Sequence, residues 1–115
     1  MLQNTALRDV GNVKIVDILR DMDFLTAKDI KDEFIRLMNQ GHRSIVGNLL
    51  AVKLVDSSGL EALATAQIKA RSLNIHFSII LNNPNIRKLL ATTGLDGFIE
   101  IHQTEEEAVK TGQQP

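Results

Sequence analysis

Hydrophobic residues along the chain form short runs separated by polar turns, and this pattern predicts strands alternating with helices. The first run is a modest strand candidate and the second is rich in branched residues, and the short turn at 9–12 between them indicates an antiparallel hairpin. Later runs are bounded by helical segments. Strands are predicted at residues 2–8, 13–19, 44–50, 75–81 and 98–101.

Four helices are predicted from helical spacing of apolar residues and from end signals. The first is expected to begin at Thr26 as N-cap, with Asp29 three residues on, and to stop at Gly41. Its apolar face is Ala27, Ile30, Phe34, Leu37 and Met38. Asn83 followed by Pro84 marks the start of the third helix, which is expected to end at Gly94.

The second helix is predicted from about Ser58 to Ser72, and the last one from Thr104 until it frays near Gly112. In the last helix Thr104 and Glu107 have the spacing of a capping box. The expected buried stripe of the second helix is Leu60, Leu63, Ala64 and Ile68.

The order of these elements predicts an α/β fold. Strands that are joined through a helix are expected to lie parallel, with right-handed crossovers. We therefore predict a single mixed sheet of four to five strands, an N-terminal antiparallel hairpin with the remainder mainly parallel, and about four helices. The loops at 20–25, 51–58 and 82–84 leave carboxyl ends of strands, so they should share one edge, where sites in open α/β sheets form.

Composition narrows the class of protein. The chain has 115 residues, so we expect one domain over 1–115 with a polar tail at 110–115. A net charge of −1 without clustered basic residues excludes direct nucleic-acid binding as a function class. No apolar run approaches ~18 residues and no basic leader precedes one, so we expect a cytoplasmic protein without membrane segments. Four phenylalanines in apolar segments are expected in the core: Phe24, Phe34, Phe77 and Phe98.

Two polar clusters fall on the predicted edge, Asp21 with Asp23 and the segment Asp56-Ser57-Ser58-Gly59. The second cluster is compatible with a plain helix N-terminus that has a serine as cap. Two carboxylates in one loop are compatible with Mg²⁺. An aspartyl phosphoacceptor at Asp56, as in receiver domains, and a serine hydrolase that uses a histidine such as His102 are further alternatives.

Residues 49–63, around Asp56-Ser57-Ser58-Gly59-Leu60, resemble the signature of the STAS domain, and in particular of bacterial anti-sigma factor antagonists. Other segments resemble the same family and extend the resemblance to roughly residues 13–109. These are Arg20-Asp21-Met22-Asp23, residues 82–89, Thr93-Gly94-Leu95 and Thr104-Glu105-Glu106-Glu107-Ala108. The resemblance implies a STAS fold.

The resemblance also implies a function. Ser57 would be the phosphoacceptor of an anti-sigma factor serine kinase, which the unphosphorylated protein binds, and a metal-dependent serine phosphatase would reverse the modification. The protein itself would be no enzyme and would need no cofactor. Further residues would position Ser57 or face the partner: Asp23, Thr26, Asn48, Asp56, Ser58, Gly59 and Leu60. The alternative is a constitutive STAS accessory module of a transport or signalling complex.

Three positions depart from the family pattern. Asn48 stands where aspartate is usual, Arg20 where glycine is frequent, and Glu61 where a small residue is usual. None of them removes the predicted phosphoacceptor. Because helix N-termini attract phosphate, we expect the fold to tolerate a phosphate on Ser57, whereas a partner with acidic groups would reject it.

Overall fold

The structure, a computed structural model, describes residues 3–113. Its five strands are β1 (Thr5–Val10), β2 (Val13–Ile18), β3 (Ser44–Asn48), β4 (His76–Ile80) and β5 (Glu100–His102). Its four helices are α1 (Ala27–Asn39), α2 (Ser57–Ser72), α3 (Pro84–Thr92) and α4 (Glu105–Gly112), and a 3₁₀ turn lies at Leu95–Gly97.

The strands form one mixed sheet in the order β1-β2-β3-β4-β5. β1 and β2 pair antiparallel, and all the other pairs are parallel, which confirms the predicted fold class. Gly11 and Asn12 form the hairpin turn, and Gly11 has a φ of 59°, which glycine adopts without strain. The first strand starts and ends later than predicted, and its expected start at Leu2 lies outside the described residues.

The helices are divided between the two faces of the sheet. Side chains from α1, α2 and α3 share one core with Val16, Ile45 and Ile79, whereas α4 packs with Ile15 and Val46 on the opposite face. Each of the first three helices connects neighbouring strands while the sheet grows in one direction. Crossovers of one hand therefore place all three on the same face. The helix after β5 makes no crossover and covers the other face.

The predicted caps of α3 and α4 are present in the structure. The Asn83 side chain accepts hydrogen bonds from the amides of Asn85 and Ile86, and Thr104 Oγ1 accepts one from Glu107, so both predicted caps are confirmed. Gly41 and Gly94 follow α1 and α3 with φ values of 93° and 78°, as predicted for helix stops. The predicted face of α1 is buried at all five positions.

Two predictions about the core are wrong. Of the expected stripe of α2 only Leu63 is fully buried, and Ile68 is 61% exposed. The helix instead approaches its neighbours through small residues and one amide side chain, namely Gly59, Ala62, Ala66, Gln67 and Ala70. Phe24 is 75% exposed and lies outside the core, whereas Phe34 and Phe77 meet edge to face with ring centroids 5.0 Å apart.

Candidate functional site

Two loops meet at the carboxyl edge of the sheet, one after β2 and one after β3. Met22 and Val55 form a parallel β-bridge. The amide of Met22 donates to the carbonyl of Leu54 at 3.0 Å, and the amide of Asp56 donates to the carbonyl of Met22 at 3.0 Å. This short ladder extends the pairing of β2 with β3 beyond the strands and fixes where α2 begins.

The Asp56 carboxylate is the N-cap of α2. Its Oδ1 accepts hydrogen bonds from the amides of Ser58 at 2.8 Å and Gly59 at 3.1 Å, and its Oδ2 accepts one from the amide of Phe24 at 3.1 Å. The expected serine cap is therefore wrong, and the helix begins at Ser57. Both oxygens of Asp56 are bound to backbone, which does not fit an aspartyl phosphoacceptor.

Ser57 is the first residue of α2 and is exposed. Within residues 3–113 its hydroxyl has no hydrogen-bond partner. The imidazole of His102 lies instead within hydrogen-bond distance of Glu100, with Nε2 to Oε2 at 2.7 Å, so it is not placed as a base for Ser57. The hydroxyl is presented to solvent on a fixed helix start.

Gly59 is buried directly behind this serine. A Cβ at this position would come within 2.8 Å of Met22 Cβ and Val55 Cγ1, and closer still to the carbonyl oxygen of Met22. Only glycine allows α2 to approach the 20–26 loop this closely. The next residue, Leu60, is partly buried and packs on the core.

Thr26 and Asp23 shape the loop before α1. Thr26 precedes α1, but its side chain does not cap the helix, so the predicted cap is wrong. Its Oγ1 accepts from the amide of Asp23 at 3.1 Å and donates to the carbonyl of Asp21. Asp23 Oδ1 accepts from the amide of Leu25 at 2.9 Å. Both side chains therefore stabilise the loop itself.

The predicted Mg²⁺ alternative is not supported by the carboxylates. Asp21 Oδ1 accepts from the amides of Lys53 and Leu54, and Asp23 Oδ1 is bound by Leu25 and Thr26. Within the described part of the chain, no group of three or more His, Cys, Asp or Glu is placed to hold a metal ion.

Asn48 ends β3 on the face that α4 covers, apart from the other predicted site residues. Its Nδ2 donates to Asp17 Oδ1 at 2.8 Å, and its Oδ1 accepts from the amide of Leu50 at 3.0 Å. Arg8 binds the same Asp17 through Nε at 2.6 Å and Nη2 at 2.8 Å. The Arg8 guanidinium outweighs partial burial and, with Asn48, lowers the pKa of Asp17 below its ordinary value. A lowered pKa means that Asp17 stabilises the fold at neutral pH and loses this contribution as the pH falls through the folded-state pKa.

Asn48→Asp, which introduces the usual family residue, is expected to destabilise this chain by about 1–2 kcal/mol at pH 7, because it places a second carboxylate against Asp17. The penalty should shrink toward pH 4, where one proton bridges the pair. Urea unfolding of the variant and wild type at both pH values measures it. A penalty that is equal at the two pH values would contradict the like-charge explanation.

Several residues at this edge were not predicted from the sequence. Phe24 and Leu25 are 75% and 73% exposed, and Leu54 is 54% exposed. Phe24 also lines a groove of about 190 Å³ between α1 and α2, together with Lys31, Ser58 and Glu61. The only signal in the sequence was that Phe24 and Leu25 lie between Asp23 and the first helix, where a loop was already expected.

The fold and the site together define a class of small α/β domain that presents the start of a central helix at the carboxyl edge of a mixed sheet. In the described residues 3–113, no helix combines the length and hydrophobicity that crossing a membrane requires. A family model for the STAS domain matches residues 4–108, and the chain belongs to the STAS domain family.

Comparisons with individual proteins agree with this assignment. A Thermotoga neapolitana protein, named as a proposed anti-sigma factor antagonist, is 28% identical over 86 residues, which cover 75% of this chain and 74% of that protein. The crystal structure of an anti-sigma factor antagonist from Mycobacterium paratuberculosis has a TM-score of 0.86 at 24% identity, covering 96% of this chain and 93% of that chain. The Bacillus cell fate determinant SpoIIAA in its phosphorylated form has a TM-score of 0.71 at 20% identity, covering 93% of this chain and 97% of that chain.

Proposed function

We propose that this STAS protein is an anti-sigma factor antagonist whose binding to an anti-sigma factor serine kinase is controlled by phosphorylation of Ser57. The observation that carries the proposal is the exposed hydroxyl of Ser57, which has no hydrogen-bond partner within residues 3–113 and lies on the first residue of a helix whose start is fixed by Asp56 and Gly59. The names of the similar proteins support the same function.

The chemistry requires little from this chain. The Ser57 oxygen attacks the γ-phosphorus of ATP, the bond from that phosphorus to the bridging oxygen breaks, and ADP leaves. The hydroxyl proton passes to a base of the kinase, which also holds Mg²⁺. A metal-dependent serine phosphatase hydrolyses the phosphoester. The protein is therefore a substrate and a binding partner in this scheme, and no enzyme.

Release of the kinase follows from the new charge. Phosphorylation adds about −1.5 to −2 charges to a residue that already lies beside Asp56. The amides of Ser58 and Gly59, which in the absence of a side-chain cap attract a phosphate to a helix N-terminus, already bind the Asp56 carboxylate. The phosphate therefore stays at the surface and lies in the interface. A penalty of ~3 kcal/mol there corresponds to roughly a hundredfold loss of affinity.

The kinase would cover the exposed apolar side chains next to Ser57, chiefly Phe24, Leu25 and Leu54. Phe24 is tied to the site because its amide donates to Asp56. Apolar side chains that are exposed in the free protein and buried in a complex contribute affinity without affecting the fold. Asp23, Thr26 and Asp56 position this surface, whereas Asn48 acts from the opposite face through Leu50.

Mass spectrometry of the intact protein tests the proposal. We expect wild type to gain one phosphoryl group when it is incubated with ATP, Mg²⁺ and an anti-sigma-type serine kinase from its own genome, because Ser57 is accessible. Ser57→Ala should gain none, whereas Ser58→Ala, the control for the neighbouring serine, should still gain one phosphoryl group. If wild type stays unmodified with every such kinase, the constitutive accessory module becomes the better hypothesis.

A further inference from the structure

The segment between β3 and α2 owes its position to a residue on the neighbouring loop. Asp21 Oδ1 accepts hydrogen bonds from the amide of Lys53 at 2.9 Å and from the amide of Leu54 at 3.1 Å. The two amides follow each other on an irregular stretch of chain, and both residues are exposed. A single carboxylate oxygen therefore fixes two consecutive peptide units.

Asp21 is itself held in place. Its carbonyl accepts a hydrogen bond from Thr26 Oγ1 at 2.5 Å, which ties it to the start of α1. The next residue, Met22, donates its amide to the carbonyl of Leu54 and accepts from the amide of Asp56, both at 3.0 Å. Leu54 is thus bound to the 20–26 loop at both its amide and its carbonyl, three residues before Ser57.

The 20–26 loop and the 51–56 loop are joined by side-chain hydrogen bonds from each loop to the backbone of the other. Asp21 reaches from the first loop to the amides of the second, and Asp56 reaches back to the amide of Phe24 at 3.1 Å. Asp56 lies against Ser57 and caps its helix, so its substitution changes both the helix and the serine. Within residues 3–113 Asp21 forms no hydrogen bond with Ser57 or with any other residue of α2, and its carboxylate binds residues 53 and 54 on the segment that leads to Ser57.

We infer that Asp21 is a positioning residue for phosphorylation of Ser57, an inference that rests on the proposed function. Without the Asp21 acceptor the 53–56 segment samples other conformations, and only the fraction with Ser57 correctly placed binds the kinase. Apparent affinity falls in proportion to that fraction, while the bound complex reacts as before. The role of Asp21 depends on the position of its acceptor oxygen and not on the negative charge of the carboxylate.

Asp21→Ala and Asp21→Asn separate these effects, since asparagine keeps an oxygen at the acceptor position. In steady-state phosphorylation with ATP, Mg²⁺ and the anti-sigma-type kinase that modifies wild type, we expect Asp21→Ala to raise KM about tenfold, as the loss of two ordinary hydrogen bonds implies, with kcat unchanged. Asp21→Asn should stay close to wild type. Hydrogen exchange at the amides of Lys53 and Leu54 should be about tenfold faster in Asp21→Ala and unchanged in Asp21→Asn.

Ile99→Val is the control for general destabilisation, because Ile99 is buried next to β5 at the opposite edge of the sheet. It should lower the midpoint of thermal unfolding and leave both KM and the exchange of Lys53 and Leu54 unchanged. A wild-type KM in Asp21→Ala, with or without faster exchange, overturns the inference. An Asp21→Asn variant as impaired as Asp21→Ala overturns the acceptor role. A wild-type protein that no kinase modifies overturns the proposed function and, with it, any role of Asp21 in that reaction.

Discussion

Phosphorylation of Ser57 is expected to weaken kinase binding about a hundredfold, and Ser57→Asp about tenfold, since aspartate adds one charge and phosphate up to about two. The fold should be unchanged, because Ser57 is exposed and its hydroxyl forms no hydrogen bond within residues 3–113. Calorimetric titration of the kinase with wild type, Ser57→Asp and the enzymatically phosphorylated protein measures the three affinities.

Ser57→Asn controls for size, because it has nearly the shape of aspartate and no charge. We expect it to bind within about threefold of wild type. Raising the ionic strength should reduce the difference between Ser57→Asp and Ser57→Asn, since salt screens charges near the surface. Equal affinities for all these variants would contradict an electrostatic release, and equal losses for Ser57→Asp and Ser57→Asn would indicate a steric mechanism instead.

Gly59→Ala is expected to destabilise the protein by about 3 kcal/mol, at the upper end of the usual range for overpacked sites. The added methyl group would press on the carbonyl oxygen of Met22, on Met22 Cβ and on Val55 Cγ1. Two of these three atoms belong to the backbone or lie next to it, so a rotamer change does not relieve the contact. The start of α2 must move away from the 20–26 loop.

Urea denaturation of Gly59→Ala beside Gly97→Ala measures this effect with a matched control. A Cβ at Gly97 meets no atom within 4 Å, so we expect that variant to lie within about 0.5 kcal/mol of wild type. Gly59→Ala should also displace the amide of Phe24 from Asp56, which NMR shift changes at both residues would report. A loss below about 1 kcal/mol would mean that α2 approaches the loop less closely in solution.

The sequence was a good guide wherever one residue was the only candidate for its position. Asn83 before Pro84 and Thr104 before three glutamates each had one plausible role as a cap, and both were confirmed. The strand and helix order also followed from the sequence, because Gly41 and Gly94 ended helices at recognisable points.

The face of α2 could not be predicted, because the rule that large apolar residues are buried does not hold where a helix packs closely. Ala62, Ala66 and Ala70 form the buried face of α2 and let the helix approach its neighbours closely. With this face turned inward, Ile68 lies in solvent. A search for the largest side chains at helical spacing selects Ile68 and overlooks the alanines. A buried face of large residues and a buried face of alanines differ in the packing distance between helix and sheet, and no local sequence pattern encodes that distance.

The sequence predicted which loops meet at the carboxyl edge of the sheet, but not the hydrogen bonds between them. The segment 56–58 offers three consecutive residues that can cap a helix, and backbone geometry assigns the role to Asp56. Thr26 had the ordinary spacing of a cap, but its hydroxyl is bound by residues of its own loop. The resemblance implied a site role for Asn48, but strand alternation places its side chain on the other face of the sheet, where it binds Asp17.

The two hydrogen bonds of Asp56 to the start of α2 have a consequence for the lifetime of the phosphorylated state under the proposed function. A domain that bound the phosphate with its own amides would protect the phosphoester from hydrolysis and would have to open before a phosphatase could act. Here the Asp56 carboxylate already binds the amides of Ser58 and Gly59, so under the proposed function a phosphoester on Ser57 would remain accessible in the native fold. Under the proposed function, removal of the phosphoryl group would then depend on encounters with the phosphatase, and the cellular concentration of the phosphatase would set the duration of the modified state.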